Sequence, residues 1–272
     1  MTTVLITGTS SGIGRAAAAR LARRRDLTVY ATARKLTAIA DLADAGARTL
    51  PLDVTDEASM AAAVAEIESR HGQVDVLVNN AGYGEYGPIE EADLDRVRAQ
   101  FETNVFGPAR LTQLVLPGMR RAGHGRIVNI SSMGGRLVFP GGGYYHASKY
   151  AVEAVSDALR QEVRPFGIDV TIVEPGLIRT GFEAIAGESL GTRPDGPYRD
   201  MVATVDAAMR KSYANRLLAA PPESVAAVIE RAVTTPRPRT RYVVTAAAKA
   251  MVHTRRLLGG RAFDAVNRLQ FR

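Results

Sequence analysis

The sharpest chemical signal in this 272-residue chain is a pair, Tyr145 and Lys149, four apart where a helix-like stretch begins. That spacing puts both side chains on one helix face. A free tyrosine titrates near pH 10, too high for efficient proton exchange around neutrality. A nearby ammonium favours the phenolate and lowers that pKa. Such a tyrosine can give a proton to a carbonyl oxygen or take one from an alcohol. Tyr144 competes for the role, but it is five residues from Lys149 and misses the i,i+4 geometry. Ser132 lies 13 residues before Tyr145, at the end of an apolar run, and can hydrogen-bond the same oxygen. A Tyr-x-x-x-Lys pair alone is common on exposed helices, so its surroundings decide its meaning.

Those surroundings include a second motif. The apolar run Val4 to Ile6 leads into Thr7-Gly8-Thr9-Ser10-Ser11-Gly12-Ile13-Gly14, and a helical pattern follows. A strand end, a tight turn and a helix N-terminus together form an anion site, because free N–H groups and the helix dipole face one point. Glycine lets a pyrophosphate approach the backbone without a Cβ in the way. A dinucleotide is therefore expected. NAD enzymes usually place an acid at the end of the second strand to bind the ribose 2′-hydroxyl. Here that strand ends Tyr30-Ala31-Thr32-Ala33-Arg34-Lys35, with Ala33 in the acid's place and Arg34 next. A guanidinium can fork onto a 2′-phosphate that a carboxylate would repel. The expected cofactor is NADP(H).

The elements that must position these groups can be read from periodicity. Val4 to Ile6, Leu27 to Ala31, Thr49 to Leu52, Val74 to Val78, Ile127 to Ile130 and Ile168 to Val173 predict six strands. Their β-branched content without polar alternation suits a sheet covered on both faces. Helix-length stretches 13–25, 35–45, 56–70, 93–121 and 144–164 lie between them. This alternation predicts βαβ units, and right-handed crossovers then give an α/β, Rossmann-type, doubly wound parallel sheet. Pro221-Pro222-Glu223 opens a further helix, 222–234, and Arg241 to Thr245 predicts a seventh strand. The expectation is one domain over 1–272. Within it, 181–221 reads as a Gly/Pro-rich, irregular substrate-side loop or lid. Residues 246–272 read as a basic C-terminal tail.

Composition narrows the classes. The apolar fraction of 46% supports a real core. No cysteine is present, which excludes disulfides, thiolate metal sites and a cysteine nucleophile. His71, His124, His146 and His253 show no metal-ligand spacing, so no metal is expected and scattered surface or helix positions are. The formal charge is +7, with arginines clustered at 23–25, at 237, 239 and 241, and at 255, 256 and 261. No nucleic-acid motif accompanies the charge, so the expectation is a solvated basic exterior that attracts an anionic cofactor, not a nucleic-acid partner. No signal-peptide pattern opens the chain and no apolar run approaches the roughly 18 residues of a membrane span, so a cytoplasmic protein is expected.

Taken together, the motifs resemble the short-chain dehydrogenase/reductase family. The glycine turn has that family's Thr-Gly-x-x-x-Gly-x-Gly form. Asp53-Val54, Asn79-Asn80-Ala81-Gly82, Asn104, Ser132, Tyr145, Lys149, Pro175-Gly176 and Thr180 follow in the family's order, densely over about residues 2–180. The resemblance implies a cofactor cradle of Gly8, Ser11, Gly12, Ile13, Gly14 and Arg34, with Ser11 adding a contact to the 2′-phosphate. It implies that Asp53 contacts the adenine and that Asn80, Ala81 and Gly82 line the cleft. Pro175, Gly176 and Thr180 then form the nicotinamide-side loop. It points to Ser132 over Ser131, assigns Lys149 to the nicotinamide ribose, and gives Asn104 a water in a proton relay. A homo-oligomer, dimer or tetramer, through the helices around 93–121 and 144–164 is also implied.

Catalytic groups fix only the carbonyl, so selectivity must come from the walls. Expected walls are Met133 to Tyr144, with Leu137, Phe139 and Pro140, and the loop after Thr180, with Phe182, Ile185, Leu190, Tyr198 and Met201. Arg193 and Arg199 are the only obvious anchors for a charged substrate there. An apolar, mid-sized ketone or secondary alcohol is expected, a reading that similarity to hydroxysteroid dehydrogenases in Tyr30 to Lys35 and around Ser132 supports. The rival classes are a non-catalytic NADP(H)-binding sensor or regulatory protein, and an epimerase or dehydratase of the extended type. The first has no need of Asn104, Ser132, Tyr145 and Lys149 together. The second typically carries a Gly-x-x-Gly-x-x-Gly turn.

Overall fold

The β-branched runs are the centre of the computed structural model, which describes residues 1–190 and 196–270. They form seven strands: β1 Thr2–Ile6, β2 Leu27–Ala33, β3 Arg48–Pro51, β4 Val76–Asn79, β5 Gly125–Ile130, β6 Ile168–Glu174 and β7 Arg241–Val243. All pairings are parallel, in the order β3-β2-β1-β4-β5-β6-β7. This is the expected doubly wound α/β sheet. Its order reverses between β1 and β4, and ligands bind such sheets in the crevice at that switch.

Alternate strand residues face opposite layers, so one sheet carries two cores. Val4, Ile6, Val29 and Ala31 pack with Ala17, Ala18 and Leu21 of α1 (Gly12–Ala22) and Val225, Ala226 and Ile229 of α9 (Pro222–Thr234). Leu5, Tyr30 and Leu77 face the other way. They meet Met60, Val64 and Ile67 of α3 (Glu57–His71) and Leu111, Val115 and Met119 of α5 (Gly107–Ala122). A short helix, α2 (Asp41–Asp44), follows a 3-10 turn at Leu36–Ile39, in place of one helix over 35–45.

Three further stretches differ from the sequence expectation. The predicted helix over 93–121 is α4 (Leu94–Phe101), a π-helical turn (Glu102–Phe106) and then α5. Residues 181–221 are largely helical: α7 spans Phe182–Ser189 and α8 spans Arg199–Ala214. Val202, Val205 and Leu190 form a small satellite core, with Tyr86, Tyr198, Met201 and Met209 packed on it. The helical stripe Val202, Val205, Met209 was hidden by Gly187, Pro194 and Pro197 punctuating its approach. The basic tail is α10 (Ala246–Gln270), kinked at Gly259, where φ is +72°. Its Val252 and Phe263 bury against Leu137.

Arg23, Arg25, Arg237, Arg239, Arg256 and Arg261 are exposed, in keeping with a solvated basic exterior, but two clustered arginines are committed to ion pairs. Arg24 pairs with Asp26 and Glu230. Arg241 reaches Glu153, Asp157 and Glu174, and Arg136 lies 3.2 Å from the fully buried Glu174. A buried carboxylate needs such partners, since desolvation alone would neutralise it. Among the described residues, no helix is long and apolar enough to cross a membrane.

Candidate active site

The turn between β1 and α1 shows why glycine is required. Gly8 has φ +70°, and a Cβ there would sit 2.7 Å from the Ala81 Cα. A Cβ at Gly14 would overlap the Gly8 carbonyl and the Asn80 amide. The two segments are locked together by hydrogen bonds. The Asn80 and Ala81 N–H groups each donate to Thr7 Oγ1 at 3.0 Å, and Asn80 Nδ2 donates to the Thr7 and Gly8 carbonyls at 2.9 and 3.1 Å. Ser11 is the N-cap of α1 with extended backbone, and its hydroxyl makes no capping bond. Hydroxyl and first-turn amides are thus left for an anion, and no acid occupies that turn.

These groups open on one cavity of about 1240 Å³. Gly8, Ser11, Gly12, Ile13, Gly14, Arg34, Asp53, Val54, Asn80, Ala81 and Gly82 line one end of it, and Ser132, Tyr145, Lys149, Pro175, Gly176 and Thr180 carry it onward. Arg34 is exposed, directly after buried Ala33, and forms no salt bridge among the described residues. Asp53 Oδ1 accepts from the Thr55 N–H at 2.9 Å and hydroxyl at 2.8 Å, which fixes its carboxylate at the rim. Thr180 packs beside Gly12, and its hydroxyl accepts from the Phe182 N–H at 3.2 Å.

Tyr145 and Lys149 enter from α6 (Gly143–Val163), and Ser132 caps the turn after β5. Ser132 Oγ accepts from the Gly134 N–H at 3.0 Å and hydrogen-bonds the Tyr145 phenol. Ser131 is buried against Gly135, and among the described residues only Ser132 hydrogen-bonds the phenol. Lys149 Nζ donates to the Ile130 carbonyl at 3.0 Å. The expectation that Lys149 lowers the Tyr145 pKa does not hold for the protein alone. Burial pushes the phenol up to about 12, opposed only by Ser132. Burial pushes Lys149 down to about 8, opposed by Glu153. Desolvation penalises both charged forms, and here it outweighs their attraction.

Asn104 is the one expected site residue that does not line this cavity. It sits in the π-helical turn, and its side chain is committed. Nδ2 donates to the Tyr83 carbonyl at 2.8 Å and to Ser148 Oγ at 3.1 Å, and Oδ1 accepts from the Tyr83 N–H at 3.0 Å. It lines an adjacent cavity of about 330 Å³ that also touches Lys149.

The wall expectations divide. Met133, Phe139, Pro140 and Phe182 line the main cavity, whereas Leu137, Leu190, Tyr198 and Met201 serve satellite cores. Arg199 lies outside the lining and pairs with Asp200. Arg193 and the Ile185 side chain lie outside the described residues. Sequence reasoning missed His146, Tyr86, Tyr213 and the α10 wall, including Met251 and Phe263. His146 is not a surface position. It is buried, with Nδ1 3.1 Å from the Gly134 carbonyl and Nε2 accepting from the Phe139 N–H at 3.3 Å. Those partners require neutral imidazole protonated at Nδ1, and burial pushes its pKa down to about 4. Tyr86 stacks on Tyr145 with ring centres 5.5 Å apart, and Phe182 approaches Tyr145 at 5.3 Å. An aromatic four residues past Gly82 was the available signal for Tyr86; Tyr213 had none.

A glycine turn at the sheet's switch point, opening on buried Tyr145 and Lys149 with half-buried Ser132 beside them, fits a dinucleotide-dependent oxidoreductase site. The short chain dehydrogenase model matches residues 2–189, and the chain belongs to that family, whose general chemistry is NAD(P)-dependent hydride transfer. It is 45% identical over 179 residues to a 3-ketodihydrosphingosine reductase of Bacteroides thetaiotaomicron, covering 66% of this chain and 65% of that one. It is 39% identical over 260 residues to 17-beta-hydroxysteroid dehydrogenase type 1 of Mus musculus, covering 90% and 74%. A short-chain dehydrogenase structure from Streptomyces avermitilis superposes with a TM-score of 0.81 at 38% identity, over 98% of this chain and 99% of that one.

Proposed function

We propose that this protein is an NADP(H)-dependent reductase of apolar, mid-sized ketones, or the dehydrogenase of the matching secondary alcohols. One observation carries the reading: Ser132, Tyr145 and Lys149 share a single cavity with the glycine turn and Arg34. When bound, NADPH supplies the hydride. Ser132 and Tyr145 both reach the oxygen of a carbonyl placed against them, and Tyr145 donates its proton there as negative charge develops. The Tyr145 phenol is neutral in the buried site, which suits a proton donor. Lys149 holds the nicotinamide ribose. In the reverse direction, the positive charge of the oxidised cofactor favours the phenolate, offsetting the burial that raises its pKa. The Asn104 side chain is already engaged, so any relay water it holds binds at its main chain in the π-helical turn.

NADP(H) over NAD(H) rests on unpaired Arg34, the missing acid at Ala33 and the free Ser11 hydroxyl. The apolar substrate rests on Met133, Phe139, Phe182 and Met251 along the cavity, and on the 3-ketodihydrosphingosine and hydroxysteroid in the names of two relatives. The test is kcat/KM with NADPH and with NADH across sugars, keto acids and bulky apolar ketones. NADPH with apolar ketones is expected to win clearly. Equal use of both cofactors removes the NADP(H) assignment, and a win for sugars or keto acids removes the substrate class.

A further inference from the structure

The substrate end of the cavity holds more polarity than a plain ketone can use. Around it, Val205, Met209, Phe182, Leu218, Met251 and Phe263 supply apolar wall. Two phenols interrupt that wall beside the catalytic one. Tyr86, from the segment after β4, lies nearly parallel to Tyr145, with 28° between the rings. Tyr213, in the last turn of α8, lines the same cavity from the opposite element. Among the described residues neither hydroxyl has a hydrogen-bond partner in the protein, although Ser132 and Tyr145 are joined. Both residues are half-buried, so water can reach their hydroxyls, and a ligand that displaces that water must replace the hydrogen bonds or leave the phenols unpaired at a cost in free energy. Burial is the main cause pushing both phenols above the ordinary tyrosine range, and the nearby Tyr145 is the next. Both therefore stay protonated and able to donate at neutral pH.

Structural work does not account for the hydroxyls. The packing role of Tyr86 is met by its ring, which also meets His146 edge-on at 6.4 Å. The satellite core beneath α8 is built from Val202 and Val205, not from Tyr213. Nor can both hydroxyls serve the reacting oxygen, since Ser132 and Tyr145 already converge on it. What remains is a second polar atom on the ligand, close to the first because the rings that hold the two are stacked.

Resting on the reductase reading above, we propose that Tyr86 and Tyr213 form a second polar anchor beside Tyr145, and that the substrate is an apolar-chain ketone or alcohol with another oxygen function within a few bonds of the reacting carbon. A site built to hydrogen-bond a substrate group discriminates against the analogue lacking it, because its own polar atoms are then left unpaired.

The experiment uses the full-length enzyme with NADPH and a matched pair of substrates: a long-chain methyl ketone and the same ketone bearing a β-hydroxyl group. Wild type is expected to favour the β-hydroxy ketone by about tenfold or more in kcat/KM. Tyr213→Phe and Tyr86→Phe keep the rings and remove only the hydroxyls. Each should lower kcat/KM for the β-hydroxy ketone several-fold more than for the plain ketone, and the double variant should erase the preference. Turnover of both ketones without preference, or equal losses on both in the variants, overturns this inference and leaves the reductase reading standing. No turnover of either ketone by wild type overturns the reductase reading and this inference with it.

Discussion

On the cofactor side of the cavity, position is set by backbone. Gly8 and Gly14 have no room for a side chain, and Asn80 and Ala81 donate four hydrogen bonds to Thr7 and Gly8 of the turn. On the substrate side, position is set by side chains. Tyr86, Phe182 and His146 surround Tyr145 as a ring cluster, while α7, α8 and α10 rest on small satellite cores. The first arrangement recognises one invariant shape and tolerates little change. The second can be rebuilt residue by residue while the frame stays, which is how one fold serves many substrates. Tyr145 belongs to both, held by the frame through α6 and touched by the cluster.

Changes at that junction should have the largest effect. Tyr145→Phe preserves the ring packing and removes the proton. Turnover should fall about a hundredfold or more, the scale of a lost general acid. Cofactor affinity, followed by fluorescence titration, should move by no more than about fivefold, since a lost neutral hydrogen bond contributes on the order of 1 kcal/mol. Unchanged turnover places the chemistry elsewhere.

The next effect lies on the substrate side and is read as stability. His146 falls from an ordinary pKa of 6.5 to about 4 on folding. Between those values the unfolded chain binds a proton that the native one refuses. The neutral ring's contribution is thus complete above about pH 6.5 and is lost as pH falls toward about 4, on the order of 3 kcal/mol in all. Urea unfolding across that window should show the loss in wild type and a flatter profile in His146→Gln. Equal slopes would mean that the ring is hydrated and the cluster looser than described.

A change confined to the frame should leave the cluster alone. Ala33→Asp combined with Arg34→Ser should swing the NADPH-over-NADH preference in kcat/KM by about ten- to a hundredfold, the scale of a charge-assisted hydrogen bond. The ranking of ketones should not change. If it does, the cofactor and substrate sides are coupled and are not independent of one another. The smallest effect is expected from Phe182→Ala, which should raise KM for bulky apolar ketones roughly fivefold while cofactor affinity holds. A matching loss of cofactor affinity would place Phe182 in the frame.

The same contrast explains what the sequence made legible. The turn demands glycine at fixed positions after a strand, so Gly8, Gly12 and Gly14 announce both a place and a ligand. The six leading strands declare themselves because a sheet covered on both faces leaves no polar interruption. The substrate side has no such local demand. Tyr213 shares the cavity with Tyr145 only because α8 folds over it, and nothing near Tyr213 in the chain encodes that. His146 looks like any helix histidine until its burial is known. The arginine at 241 reads as surface charge, yet it balances Glu153 and Glu174, whose burial depends on how α6, β6 and β7 come together. The Tyr145 pKa was misjudged for a related reason. Spacing shows that Lys149 is near, but not how little water either group keeps.

We propose that this cavity passes a hydride from NADPH to a carbonyl carbon under Tyr145. The direct measurement is a single turnover with NADPH deuterated at the transferring position of the nicotinamide and an apolar ketone, with the product analysed by mass spectrometry. One alcohol should form per cofactor oxidised, with the deuterium on the carbinol carbon, and neither signal should appear in Tyr145→Phe on the same timescale. Cofactor that binds and is never oxidised, or oxidation without a deuterated alcohol, would contradict the proposal.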